Sequence, residues 1–264
     1  MDMVVRGAGV PLVLIPGVQG RWEYMSRAVE ALSRVCRVIT FSLADEPGSD
    51  CPFDAGRRMD SYVDQVERAM DQSAVESAAV CGVSFGGLIA IRFAAERQRR
   101  TAALVLASTP GPSWHLSERH RRYVRFPRLA APLFFAGMPG RLRREITRAI
   151  PARGDRLQFR LEAARTFLRA GLSPTRMAAR ALAIDPREIA GALQKIDTPT
   201  LVITGEPSLD WVVPAGGTAE YAERIPGATL VRLDRTGHLG AITRPREFAA
   251  IVERFVDGHH HAAA

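Results

Sequence analysis

Apolar residues in this chain gather into brief blocks at residues 11–15, 36–43, 77–83, 102–108, 200–204 and 229–234. Each block is short and almost wholly aliphatic, the pattern of a strand covered on both faces rather than on one. Between the blocks, apolar positions recur at helical spacing over residues 22–35, 57–73, 85–97, 216–224 and 245–256. Pro245 suits the first turn of the last of these helices, where its missing N–H costs nothing. Strand and helix in alternation predict an α/β protein with a mostly parallel central sheet flanked by helices. The alternation breaks once. From Ser108 to Thr200 no convincing strand occurs, only helix-forming Ala, Leu and Arg, with Pro110-Gly111-Pro112 at the opening and Pro199 at the close. The pattern therefore divides the 264 residues into a core (1–110 and 196–257), an inserted helical cap (111–195) and a tail (258–264). In the tail, His259, His260 and His261 precede three alanines and read as a tag remnant or a frayed end.

Composition is that of an ordinary globular protein, 47% hydrophobic and 24% charged, which excludes disorder, a collagen-like chain and a disulfide-stapled miniprotein. The net charge of +8 changes the picture only when it is located. Residues 111–195 carry 18 Arg and Lys against 6 Asp and Glu, a net of +12, which leaves 18 against 22 elsewhere, a net of −4. Lys195 is the single lysine, a bias that fits a GC-rich genome better than selection for phosphate binding. The cap arginines form either a solvated outer face or a rim that guides an anionic substrate. Neither zinc-finger spacing nor an RNA-binding signature accompanies them, so no nucleic-acid partner is expected. No signal peptide is visible at Met1, and no apolar run reaches the ~20 residues of a membrane span, so no integral membrane association is expected. Cys36, Cys51 and Cys81 are odd in number and lack metal-ligand spacing, which suits a reduced cytoplasm.

Chemistry enters after the block at 77–83. Gly82-Val83-Ser84-Phe85-Gly86-Gly87 matches G-x-S-x-G at a strand–turn–helix junction, which lifts a serine oxygen above the sheet. Side chains at 82 and 86 would collide with the neighbouring strand and helix, so glycine is required there. A nucleophilic serine needs a base, and that base needs an acid to hold its tautomer. His238, in Thr236-Gly237-His238-Leu239 just past the last strand, is the candidate base; His115 and His120 fall in the insertion. Asp210, after the block at 200–204, is the first choice of acid, with Glu206 and Asp234 as competitors. A tetrahedral intermediate also needs two N–H donors. Phe85, following the serine, supplies one, and Val18 in Pro16-Gly17-Val18-Gln19-Gly20 supplies the other.

With these motifs in this order, together with Val213-Pro214 after Asp210, the chain resembles the α/β-hydrolase superfamily over nearly its whole length. The resemblance implies a usually eight-stranded sheet, a lid inserted after the sixth strand, and no cofactor or metal. Relatives often begin the oxyanion loop with His-Gly; Pro16 replaces that histidine, and the donor remains a main-chain group. Only residues 3–6 precede the block at 11–15, so the antiparallel edge of the sheet is expected to be trimmed. A serine at position 84 argues against epoxide opening and halide displacement, which relatives perform with aspartate.

Val18, Gln19, Trp22, Phe85, Trp114, Trp211 and Leu239 are expected around Ser84, with ordinary core as the competing role for each. Phe126, Leu133, Phe134 and Phe135 read as the private core of the cap. These residues add up to a serine hydrolase of carboxylic esters bearing small to medium apolar groups, a monomer or homodimer acting on a small molecule. Two alternatives stay open. One is a C–C hydrolase or lactonase for a carboxylate-bearing substrate; the other is a ligand-sensing or partner-binding module with slow turnover.

Overall fold

In the computed structural model the apolar blocks become strands buried on both faces, except the last, which lies at the sheet edge and is largely exposed. The structure describes residues 3–260, apart from the side chains of Arg119, Phe134 and His260. In chain order the strands are β1 (Met3–Arg6), β2 (Pro11–Ile15), β3 (Arg37–Phe41), β4 (Ala78–Val83), β5 (Thr101–Ala107), β6 (Thr200–Thr204) and β7 (Thr229–Arg232). They form one sheet in the order β1-β3-β2-β4-β5-β6-β7. β1 runs antiparallel to β3, and every other neighbour is parallel. The sheet has seven strands rather than eight, and β1 survives as its antiparallel edge, as the short N-terminal segment leads one to expect.

Two apolar layers cover the sheet. On one side α2 (Arg58–Gln72), α3 (Phe85–Glu96), α8 (Pro186–Leu193) and α9 (Ala215–Arg224) place Tyr62, Val66, Phe93, Leu193 and Tyr221 against Val80, Leu104 and Val202. On the other, α1 (Ser26–Leu32) and α11 (Pro245–His260) set Val29, Leu32, Phe248 and Val252 on Leu12, Val105 and Leu201. Successive strand residues point to opposite faces, so β4 sends Val80 to the first layer and Cys81 to the second.

Between β5 and β6 lie α4 (Glu118–Arg125), α5 (Pro127–Ala149), α6 (Arg153–Ala170), α7 (Pro174–Leu182) and α8. Helices α4, α5 and α7 pack on one another. Helix α8 docks on α3, and its Ile189, Ala192 and Leu193 join the first apolar layer. The last inserted helix is thus part of the core packing, although it falls within residues 111–195. Of the tail at 258–264, residues 258–260 finish α11 and 261–264 lie outside the described residues. Among the described residues no helix is long and apolar enough to cross a membrane.

Candidate active site

The turn between β4 and α3 holds Ser84 at φ 55°, ψ −122°, a left-handed conformation that costs a side-chain-bearing residue energy and that packing must enforce. The packing is visible. A Cβ on Gly82 would strike the Gly86 carbonyl, and one on Gly86 would strike the carbonyls of Ile15 and Pro16. Strand β4, helix α3 and the loop after β2 therefore meet backbone to backbone around the serine. The Ser84 N–H donates to Ala107 O at 2.8 Å and the Gly87 N–H to Ser84 O at 2.9 Å, which fixes the turn at both ends.

The loop after β7 brings His238 to the serine, with Nε2 3.1 Å from Ser84 Oγ. His238 Nδ1 faces Asp210 Oδ2 at 3.6 Å, with both side chains almost fully buried. That separation is longer than a hydrogen bond, and contacts of this kind tighten when substrate fills a site. Asp210 is held by its own loop: Oδ1 accepts the N–H groups of Val212 and Val213, each at 2.9 Å. The competitors face elsewhere. Glu206 Oε1 accepts the Arg235 N–H at 2.7 Å, and the exposed Asp234 pairs with Arg232 at 3.1 Å.

Val18 and Phe85 flank the serine in the wall of a cavity of about 170 Å³. Phe85 opens α3, where a backbone N–H has no acceptor within the helix. The Gly20 N–H closes a turn on Gly17 O at 2.9 Å, with Val18 at its second position. The remaining wall is mostly apolar and comes from the inserted helices: Tyr123 and Val124 of α4, Phe135 of α5, and Met177 and Ala181 of α7. Trp114 lines it as expected. Four other expected wall residues do not. Gln19 folds its amide oxygen back toward Gly17. Trp22 packs on the second apolar layer and faces a separate polar cleft between α1 and α6. Trp211 is 58% exposed. Leu239 packs beside Ile146 of α5, Ile150 just past its end, and Phe159 of α6. In the cap, Phe135 lines the cavity, Phe126 and Leu133 are exposed, and the Phe134 side chain lies outside the described residues.

Two buried charges at this site escape sequence reasoning. Arg180 of α7 is fully buried: Nη2 lies 2.6 Å from both Asp45 and Glu46, and Nη1 donates to the Val18 carbonyl at 2.9 Å. Glu145 of α5 is also buried, and its Oε1 accepts the N–H groups of Gly237 and Leu239. Burial draws its carboxyl up to about 7 despite those donors. One is an arginine among 35 and the other follows Arg143 and Arg144, so both look like ordinary helix surface in the sequence.

Similarity to known proteins accords with this geometry. The chain is 28% identical over 260 residues to a poly(3-hydroxyalkanoate) depolymerase from Ectopseudomonas oleovorans, covering 93% of this chain and 84% of that one. It is 26% identical over 252 residues to a pimeloyl-[acyl-carrier protein] methyl ester esterase from Nitrosomonas europaea, covering 92% and 94%. An esterase structure from Exiguobacterium antarcticum superimposes with a TM-score of 0.78 at 19% identity, over 97% of this chain and 94% of that one. The family model for the alpha/beta hydrolase fold matches residues 10–245, and the chain belongs to that family.

Proposed function

We propose that this protein is a serine hydrolase that cleaves carboxylic esters with small to medium apolar acyl or aryl groups. The observation that carries the reading is the 3.1 Å approach of His238 Nε2 to Ser84 Oγ at the wall of an apolar cavity. His238 takes the Ser84 proton as Oγ attacks the ester carbonyl. The oxyanion forms between the N–H groups of Val18 and Phe85. His238 then returns the proton to the leaving alcohol, and the acyl group stays on Ser84. Water, deprotonated by the same imidazole, attacks the acyl-enzyme and releases the acid. Asp210 keeps Nδ1 protonated and the ring oriented, so that Nε2 is free to accept.

The wall bears on the choice of substrate class. Among the described residues no arginine lines the cavity and His120 is its one basic side chain; the otherwise apolar wall favours an apolar ester over a carboxylate-bearing keto acid. The exposed cap arginines Arg121, Arg122, Arg125, Arg128, Arg143, Arg144 and Arg148 form an outer face instead. The test pairs covalent labelling with turnover. A fluorophosphonate probe should label wild type to one equivalent and leave Ser84→Ala unlabelled. p-Nitrophenyl esters from acetate to octanoate should turn over briskly, and a dienoate ketone should not. Absence of labelling together with absent ester turnover refutes the proposal.

A further inference from the structure

Glu145 reaches from inserted helix α5 to the loop that carries the candidate base. Its Oε1 accepts the Gly237 N–H at 2.8 Å and the Leu239 N–H at 2.6 Å, the backbone donors on either side of His238. One oxygen thereby bridges the two peptide groups that set where the imidazole points. The carboxylate is fully buried, and its second oxygen has no hydrogen-bond partner among the described residues. We propose that Glu145 is a positioning residue for His238, fixing the histidine loop through its flanking amides. This inference rests on the assignment of His238 as general base.

Three observations support it. First, burying a carboxylate is expensive unless strong donors repay the lost hydration, and surface alternatives for a helix carboxylate cost nothing. Second, the surroundings are otherwise apolar. Helix α5 meets α10 (Gly240–Thr243) and α6 through Leu239, Ile242, Ile146 and Phe159. Among the described residues, the titratable groups that act on its charge are His238 and Asp210. Arg27 lies over the Phe159 ring at 5.1 Å and is paired with Glu162. On α5 itself, Arg144 and Arg148 are solvent-exposed. Third, burial raises the Glu145 carboxyl to about 7 despite the two donors, and in either protonation state Oε1 remains an acceptor for both amides.

The test compares Glu145→Gln and Glu145→Leu. Glutamine keeps an acceptor for both amides and removes the charge; leucine removes both. Glu145→Leu should lower kcat by about 10²-fold with KM within about twofold, since alignment rather than substrate binding is lost. Glu145→Gln should recover most of that kcat, because its amide oxygen still accepts both N–H groups. Amide hydrogen exchange at Gly237 and Leu239 should speed up by about tenfold in Glu145→Leu and stay near wild type in Glu145→Gln. This second readout needs no turnover, so it separates failure of the inference from failure of the proposed hydrolase activity. Should Glu145→Leu not fold, Glu145→Asp, whose shorter side chain withdraws the oxygen from both amides, takes its place. Wild-type kcat together with wild-type amide exchange in that variant would overturn the proposal.

Discussion

The strain at Ser84 has a cause one residue at a time. Its φ of 55° persists because β4, α3 and the loop after β2 approach so closely at Gly82 and Gly86 that no relaxed turn fits. A methyl group at position 86 would press on the Ile15 and Pro16 carbonyls and push the loop that carries Val18. Gly86→Ala should therefore lose about 1–3 kcal/mol in denaturant unfolding, and the folded fraction should lose turnover out of proportion to its stability. Retention of full kcat would show that the loop absorbs the methyl group. The candidate acid is also distinguished at this scale. Asp210 is 1% exposed and bound by two backbone donors, whereas Glu206 and Asp234 are engaged away from the ring. Asp210→Asn should leave the fold intact and lower kcat by about 10⁴-fold, because the amide favours the wrong imidazole tautomer. Near-normal turnover in Asp210→Asn, with loss in Glu206→Gln, would reassign the acid.

Elements, rather than residues, explain how the inserted helices bear on the site. Helix α7 lines the cavity with Met177, Ala178 and Ala181, and its Arg180 ties it to Asp45, Glu46 and the Val18 carbonyl. Gly20 makes room for this tie, since a Cβ there would overlap the guanidinium. Arg180→Met would leave Asp45 buried without its cation, while Glu46 would retain Arg176 at 3.1 Å. Stranding a buried charge costs about 3–5 kcal/mol. At this chain length that corresponds to a drop in Tm of about 6–20 °C in a calorimetric scan. The exposed Arg143→Met should change Tm by no more than about 2 °C. Equal Tm values for the two variants would mean that the Arg180 cluster is not a structural tie. The same elements show which features can be read from sequence. Six parallel strands, and the approach of Ser84, Asp210 and His238 to one another, are legible because each has a local signature: an aliphatic block, a glycine-flanked serine, or a polar residue in the loop that follows a strand. The cavity wall is not legible, because it is made by helices packing from a distance, and neighbours of the motif such as Trp22, Trp211 and Leu239 turn elsewhere. Arg180 and Glu145 stay hidden for a related reason. Burial is decided by the tertiary approach of α7 and α5, and nothing in the neighbouring residues marks it.

At the scale of the whole molecule the charges are segregated. The inserted residues 111–195 carry +12 and the remainder −4. Many core arginines are neutralised in pairs: Arg92 meets Asp60, Glu96 and Glu188, and Arg97 meets Glu67. In contrast, Arg122, Arg125 and Arg128 stand exposed on α4 and α5, the helices whose inner faces line the cavity with Tyr123, Val124 and Phe135. A positive field thus surrounds an apolar chamber without placing an arginine in its described wall. Such a field raises the local concentration of anions, and salt screens it: the Debye length falls from about 30 Å at 0.01 M to about 3 Å at 1 M. An ester whose far end bears a carboxylate should then lose about five- to tenfold in kcat/KM between low and high salt. A neutral ester of the same length should change by less than about twofold. Replacing Arg122, Arg125 and Arg128 together by serine should flatten the response of the anionic ester and leave the neutral one unaltered. Parallel salt curves for the two esters in wild type would mean that the field does not reach the chamber mouth, and the cap charge would then act only on the solvated face.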